Sequence, residues 1–394
     1  MKHSIKDQFL IEFKSLFSGY PDFVYSKNNN LILAGIPVFV YHTIDPILFE
    51  SHLQYLKDNG YSTLSINEFY ESIVNSKTAE NKKTILLTID DARSSVWRYA
   101  YPLLKKYQMH STVFVIPGIT EQSESCRKNL EDFWNNKCSL KEIHEEDSSD
   151  NTLCNWREIK EMYSTGFVNI ESHTLFHREI FRNLNIIDYI TPNVTFVPYN
   201  FKGSPYYSLD NLGKTIEPND FIGLPLFESA PLMIAGPKIK ISPEFITKCK
   251  EIYLDTSKNN YDWKSAIKSY VDEQSNRNKY FSSKPDSKED AFQDLKIARE
   301  LIQKNLDGNA GNHLCLPWTK GNTETIKICK ELDIKSCFWG ILDSKKINKP
   351  GDDPYYISRI KNDFIFRLPG ISRKSFYSIY KYKLQRRLSG EKIY

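Results

Sequence analysis

The chain has no obvious leader. In MKHSIKDQFLIEFKSLFSGYPDF, Lys6, Asp7, Glu12 and Lys14 interrupt every stretch that could serve as the apolar region of a secretory signal. It has no long hydrophobic run either. The longest, near Leu31–Tyr41, is broken by Pro37 and falls far short of the ~20 residues a spanning helix needs. Charge of one sign is scarce: Lys plus Arg total 53, Asp plus Glu 49, and the net is +4. That excludes the basic footprint of a dedicated nucleic-acid binder. The seven cysteines form an odd set without CxxC spacing, which argues against a structural zinc site and for buried free thiols. No internal repeat or low-complexity tract occurs. These absences predict a cytoplasmic protein with no transmembrane segment and no nucleic-acid partner. What is present is apolar and aromatic. Hydrophobic residues are 40%, charged residues 26%, and 23 Phe with 24 Tyr bring aromatics to 13%. A disordered chain would be poorer in such residues. Rings in this number imply a sizeable core, a sugar-binding surface, or both.

Periodicity organises the chain. An amphipathic stretch with Ile5, Phe9, Leu10, Phe13 and Phe17 precedes a polar turn, Ser26–Asn30. IPVFVY (36–41), TILLTI (84–89), STVFVI (111–116) and FVNIES (167–172) are short apolar runs of the kind found in buried parallel strands. Helical patterns fall between them at 46–58, 65–76, 96–107 and 156–164. The second of these opens with Ser65 and Glu68 at capping-box spacing. Alternating strand and helix predicts a parallel sheet with helical crossovers, open or closed into a barrel. Regularity stops at 185–285, a Pro-, Gly-, Asn- and Tyr-rich stretch too long for a plain loop, and so predicted to be an inserted lobe. A helix at 290–306, a strand at 313–318, a helix at 326–333 and a strand at 336–341 follow. The basic tail, 371–394, reads as a solvated face, with anionic-lipid or phosphate contact as the sharper alternative.

Two constellations carry chemistry. Asp90 and Asp91 directly follow the 84–89 strand, at the mouth where α/β proteins keep their sites. Neighbouring strand residues point to opposite sides, so one carboxylate could hold a metal and the other act as a base; turn formation or helix capping is the plainer use of such a pair. His173 and His177 follow the 167–172 strand, four apart, and on one helical turn could bind one ion. Thr174 between them can bond its own backbone and tie the loop down. Together Asp and two His offer a divalent ion the mixed anionic and neutral donors it takes, with positions left for water.

The ordered motifs resemble the polysaccharide deacetylases, the NodB-homology domains of carbohydrate esterase family 4. TILLTIDDARSSVWRYAYPLLKKYQMHSTVFVIPG resembles the family's Thr-Phe-Asp-Asp-Gly motif with the helix and strand that follow. NWREIKEMYSTGFVNIESHTLFH is similar to its His-Ser/Thr-x-x-His motif with the usual lead-in. DLKIARELIQKNL then CLPW resembles its later helix and Pro-aromatic motif. The likeness spans about 36–180 and 290–360. It implies a distorted or incomplete (β/α) barrel, α/β in class, with a large insertion. It also implies a divalent metal, zinc by the family's habit, on Asp91, His173 and His177. Asp90 would be the general base, the backbone N–H of Trp318 after Pro317 would help hold an oxyanion, and Leu316–Trp318 would line an acetyl pocket.

Several positions depart from the family. Ala92 stands where glycine is usual and is expected to keep a negative φ. Glu171 replaces a common glycine and would either orient a histidine or cap a turn. No Arg opens the Pro-aromatic motif, and Arg359 in YYISRI is the candidate to steady the base. No histidine follows His313, so the family's late Leu-x-His is missing; His42, His313 or Asp90 itself would then move the second proton. The expected organisation is an N-terminal helical extension (1–30), a catalytic domain (31–365) with its lobe at 185–285, and a basic tail (366–394). The expected function is metal-dependent hydrolysis of N-acetyl, or related N-acyl, groups on a saccharide or saccharide intermediate, free or nucleotide- or lipid-linked, with peripheral membrane contact through the tail open to it. Hydrolysis of a non-sugar amide or ureide and an inactive carbohydrate-binding module are the alternatives.

Overall fold

The apolar runs become the strands of one parallel sheet. A computed structural model describes residues 20–75, 83–149, 153–191, 205–207, 209, 212, 218–234, 236–258, 262–275, 279–342 and 345–388. The stretch containing Ile5 to Phe17 lies outside them. After a short helix, Asp22–Tyr25 (α1), come Val38–Tyr41 (β1), Pro46–Asp58 (α2), Ser62–Thr63 (β2), Ile66–Val74 (α3) and Thr84–Asp90 (β3). Tyr101–Tyr107 (α4), Ser111–Val115 (β4), Leu130–Trp134 (α5), Leu140–Ser149 (α6), Trp156–Ser164 (α7) and Val168–Ser172 (β5) follow. The Ser65–Glu68 spacing is a capping box: Ser65 Oγ accepts from Glu68 N–H, and the Glu68 carboxylate accepts from Ser65 N–H. The helix expected at 96–107 differs in its first half, where Val96–Ala100 is a π-helical turn. Pro102, lacking an N–H, opens the α-helical part.

A lobe then leaves the sheet. Glu179–Tyr189 (β6) pairs antiparallel with Pro225–Pro231 (β7), and Lys238–Ile241 (β8) with Phe281–Lys284 (β9). Helices Pro243–Lys258 (α8) and Trp263–Gln274 (α9) lie between β8 and β9. The chain returns through Lys288–Asn305 (α10), His313–Cys315 (β10), Thr323–Glu331 (α11), Ser336–Phe338 (β11), Ile360–Lys361 (β12) and Phe376–Leu388 (α12). Among the described residues, the lobe's aromatics mostly turn inward rather than forming an open sugar platform. Phe181, Phe227, Phe245 and Phe281 are buried in a core of their own, against which Tyr206, Trp263 and Tyr270 pack.

Strand order is β11-β10-β5-β4-β3-β1-β12. The sheet curls until its ends meet, because the residues just before β12 also pair with β11. Ile357 bridges Phe338 in parallel, and Ile360 pairs with Phe39 of β1. The result is a distorted (β/α) barrel, the class the sequence implied. Inside it, Val38, Leu86, Phe114, Cys315 and Phe338 form one cluster with Ile66, Phe69 and Ile73. Helix α3 thus plugs the end where the strands begin. Its first N–H donates to Asn169 Oδ1 on β5, and Tyr70 meets the His313 ring edge-on. Outside the barrel, Phe39, Ile85, Leu87, Ile89, Val113 and Ile170 pack against α2, α4 and α7. Burying an aliphatic or aromatic side chain of this kind contributes about 1.5–3 kcal/mol each.

Two expected boundaries shift. The lobe begins at Glu179, directly after the second histidine motif, and ends at Lys284. The C-terminal part is no separate tail. Tyr55 and Tyr61 hydroxyls donate to Leu368 and Pro369 carbonyls, and Arg367 donates to Val24 and Ser26 carbonyls. Helix α12 is solvated on one side only. Ile379 and Lys383 are buried, and Lys383 pairs with Asp363 at 3.1 Å. The apolar side of a basic helix needs a partner, and the barrel wall supplies it.

Barrel closure hangs on Asn348. Its side chain accepts Ser358 N–H at 2.9 Å and donates to Ser358 O at 2.8 Å, while its carbonyl accepts Ile36 N–H. Asn348→Ala leaves the buried Ser358 backbone groups unpaired. We expect urea unfolding to show a loss of about 2–3 kcal/mol; a loss below about 0.5 kcal/mol would show that the closure does not depend on this side chain.

Candidate active site

Four strand ends meet at the mouth of the barrel. Both carboxylates come from β3, but not by simple alternation. Asp91 and Ala92 have φ of 71° and 53°, so the chain turns sharply at once and both carboxylates come to lie beside His173. The negative φ expected at Ala92 is therefore not what the structure has. A residue with a Cβ sits in the left-handed region here, at a cost of roughly 1–2 kcal/mol.

The histidine pair also departs from the helical picture. Residues 173–177 form a tight loop in which Thr174 and His177 are left-handed, with φ of 68° and 49°. Thr174 ties the loop as its chemistry suggested: its Oγ1 accepts His177 N–H at 3.1 Å. Gly118 N–H donates to Leu175 O, and any Cβ at Gly118 would lie 2.5 Å from that oxygen. The loop brings the two imidazole centroids to 4.8 Å.

Asp91, His173 and His177 each offer a ligand atom, all within 4.8 Å of one another. His173 Nε2 is 3.6 Å from Asp91 Oδ1. Its other nitrogen, Nδ1, lies 2.9 Å from Cys315 O. A carbonyl only accepts, so Nδ1 is the donor there and Nε2 is the nitrogen turned toward Asp91. Burial, then the neighbouring His173, push the His177 pKa down to about 3, so the His177 ring is neutral. One anionic and two imidazole donors, oriented before any ion arrives, fit a divalent metal.

Asp90 is the other half. Arg359, fully inside the barrel wall, grips it through two bonds, Nη1 to Oδ1 at 2.7 Å and Nη2 to Oδ2 at 2.9 Å. Arg359 is itself held by Trp339 O at 2.8 Å through Nε. Burial alone would raise the Asp90 pKa. The Arg359 guanidinium and then His173 more than offset it and hold the carboxyl well below the usual range. The Cys315 thiol, kept protonated by burial, points at Asp90 Oδ2 from 3.5 Å. Arg359, the candidate to steady Asp90, thus lies directly against it. Sequence spacing could not locate it, since it arrives on the closing segment 269 residues away. Arg93, 3.4 Å from Asp91 Oδ2, and the double contact of Cys315 were missed as well; an Arg two residues after the pair was the only visible signal.

The remaining candidates divide. His42, at the end of β1, is at the mouth, with Nε2 3.8 Å from Asp90 Oδ2. His313 is not: it opens β10 at the opposite end, beside Tyr70, with Nδ1 2.7 Å from Ser336 Oγ. Glu171 touches no histidine ring. It accepts His313 N–H at 2.8 Å and so ties β5 to β10. Pro317 and Trp318 are at the mouth, in a turn where Trp318 has φ 51°. The Trp318 ring lies 4.2 Å from that of His177 and is 44% exposed. Leu316 lines no open pocket. It is fully buried in the cluster with Ile180, Leu232 and Met233, because strand alternation turns it outward from Cys315.

Two outcomes follow. Ala92→Gly relieves the left-handed strain against a glycine entropy cost of about 0.4–1 kcal/mol. A net gain on the order of 0.5 kcal/mol in urea unfolding is expected, and a loss would mean that the turn is not strained. Burial raises the Glu171 pKa to about 8, against the opposing pull of the His313 and Asn312 N–H groups. The folded state then holds a proton that the unfolded state releases above its ordinary pKa. The stability this gives is complete at low pH and falls as pH rises toward 8. Relative to Glu171→Gln, the wild type should lose on the order of 2 kcal/mol between pH 6 and 8 in thermal unfolding. Parallel pH profiles would contradict the assignment.

Comparisons with known proteins bear on the same residues. The family model described as polysaccharide deacetylase matches residues 77–193, which include Asp90, Asp91, His173 and His177. The Bacillus subtilis (strain 168) protein YxkH is 31% identical over 155 residues, 37% of this chain and 45% of its own length. The Staphylococcus aureus (strain MSSA476) poly-β-1,6-N-acetyl-D-glucosamine N-deacetylase is 26% identical over 133 residues, 34% of this chain and 37% of its own. The chain thus spans less than half the length of these curated relatives. Among solved structures, IcaB from Ammonifex degensii is 16% identical, with a TM-score of 0.48, covering 87% of this chain and 98% of that one. The motifs, the strand ends that carry them and the family match agree: residues 77–193, which hold both acid and histidine motifs, are similar to the polysaccharide deacetylase family.

Proposed function

We propose that the chain hydrolyses N-acetyl, or related N-acyl, groups on a saccharide, with Asp91, His173 and His177 holding a divalent ion, zinc by preference, and Asp90 as base. The observation that carries this reading is a carboxylate locked in its ionised form by Arg359 next to a preoriented three-donor set. The Staphylococcus aureus relative is named for poly-β-1,6-N-acetyl-D-glucosamine, which makes an N-acetylated glucosamine the first substrate to try.

When bound, the ion would supply Lewis acidity toward a water and toward the acyl carbonyl. Asp90, ionised across the ordinary pH range, takes a proton from the attacking water. Its oxygens are fixed by two charge-assisted bonds, so the lone pair facing the cavity has one direction. Burial holds the His42 pKa below the usual imidazole value, so its ring starts neutral; with Nε2 3.8 Å from Asp90 Oδ2, it would take the proton that Asp90 accepts and pass it to the departing nitrogen. The Trp318 face beside His177 borders the space where the sugar would lie, and aromatic faces of this kind pack well on sugar rings.

Asp90→Asn keeps the shape and loses the base. We expect acetate release from N-acetylated glucosamine oligomers to fall by about 10²–10⁴-fold, with bound zinc unchanged by metal analysis, and chelation to abolish activity in the wild type. Full activity in Asp90→Asn with metal in place would rule out this assignment of the base.

A further inference from the structure

One fully buried carboxylate at the mouth has no part in the chemistry above. Asp294 sits in the second turn of α10, the helix by which the chain returns from the lobe. Its Oδ1 accepts Leu175 N–H at 2.8 Å, in the middle of the His173–His177 loop. Its Oδ2 has no hydrogen-bond partner and faces Arg178 Nε at 3.6 Å, itself buried and without one. Arg178 is the residue after His177, where the chain leaves for the lobe, and its carbonyl accepts Leu232 N–H from the lobe's 232–234 turn.

Three facts make this more than a buried ion pair. The loop it holds is strained at two positions, and such a loop persists only if its surroundings over-determine it. Both backbone groups of Leu175 are committed, the C=O to Gly118 N–H and the N–H to Asp294, so the loop's midpoint is fixed from two sides. The two ends of the lobe also converge here, one at Arg178 and one on α10. We infer that Asp294 is a positioning residue: it holds the ligand loop in its left-handed path and, through Arg178, makes the lobe's attachment part of that geometry. This rests on the reading of Asp91, His173 and His177 as metal donors.

The test is zinc affinity of the full chain, measured by chelator competition on metal-stripped protein, alongside thermal unfolding. Asp294→Ala removes the acceptor for Leu175 and should weaken zinc binding about 10–100-fold, the usual effect of losing a group that orients ligands. Asp294→Asn keeps that acceptor and strands the Arg178 charge. It should bind zinc within about threefold of the wild type while still losing thermal stability, because it strands the same Arg178 charge as Asp294→Ala does. A merely structural role would make affinity follow stability in both, and that result overturns the proposal. So does wild-type affinity in Asp294→Ala. If that variant does not fold, Asp294→Glu replaces it, since its charge is kept and its acceptor displaced; about tenfold weaker binding is expected, and unchanged affinity overturns the inference. Should the wild type bind no zinc, both readings fail; should it bind zinc and lose it in His173→Ala, only the role of Asp294 is at stake.

Discussion

The site depends on one buried ion pair that is also a topological closure. Asp90 ends a central strand, and Arg359 lies between the two pairings that join the sheet's edges. Two charges this deep are costly to desolvate, and the cost is met only when geometry is good and remaining donors are satisfied. Here both carboxylate oxygens receive the guanidinium, and the third guanidinium nitrogen finds Trp339 O. An open sheet would leave Asp90 facing His173 and the Cys315 thiol without a counter-charge, and burial would then drive its pKa upward. Curling the sheet is therefore what keeps the Asp90 carboxylate ionised.

The same geometry explains what the sequence could reveal. Strands in apolar runs, caps such as Ser65 with Glu68, and acid and histidine motifs at strand ends are local, and local signals are legible. Arg359 was visible only as a candidate, since its role depends on a pairing between residues far apart in sequence. The segment 173–177 is a left-handed loop rather than the helical turn its spacing also allows, because two histidines four apart look the same in either conformation. Left-handed backbone at Asp91, Ala92, Thr174 and His177 is invisible in the sequence, as the usual glycine marker is absent at each. His313 looked eligible because spacing does not say which end of a strand faces the mouth.

The aromatic richness divides once the fold is known. Most rings serve cores, including that of the inserted lobe, whose Phe and Tyr residues stack on one another. Trp318 is different: its ring is half exposed and rests on a proposed ligand. The basic C-terminal region divides likewise. Part of its charge is spent on carbonyls of residues 23–28 and on Asp363, which binds the chain's late segment to its early one.

Arg359 also has a consequence in time. A ribosome makes Asp90, Asp91, His173 and His177 long before it makes Arg359. At about 5–20 residues per second, the roughly 180 residues between His177 and Arg359 take on the order of 10–35 s. Through that interval the emerging polypeptide holds every donor atom and the base side chain, but not the cation that arms the base. On the proposed reading the site is completed only when the last strand is laid down, and a chain that ends before Arg359 would lack the counter-charge of Asp90.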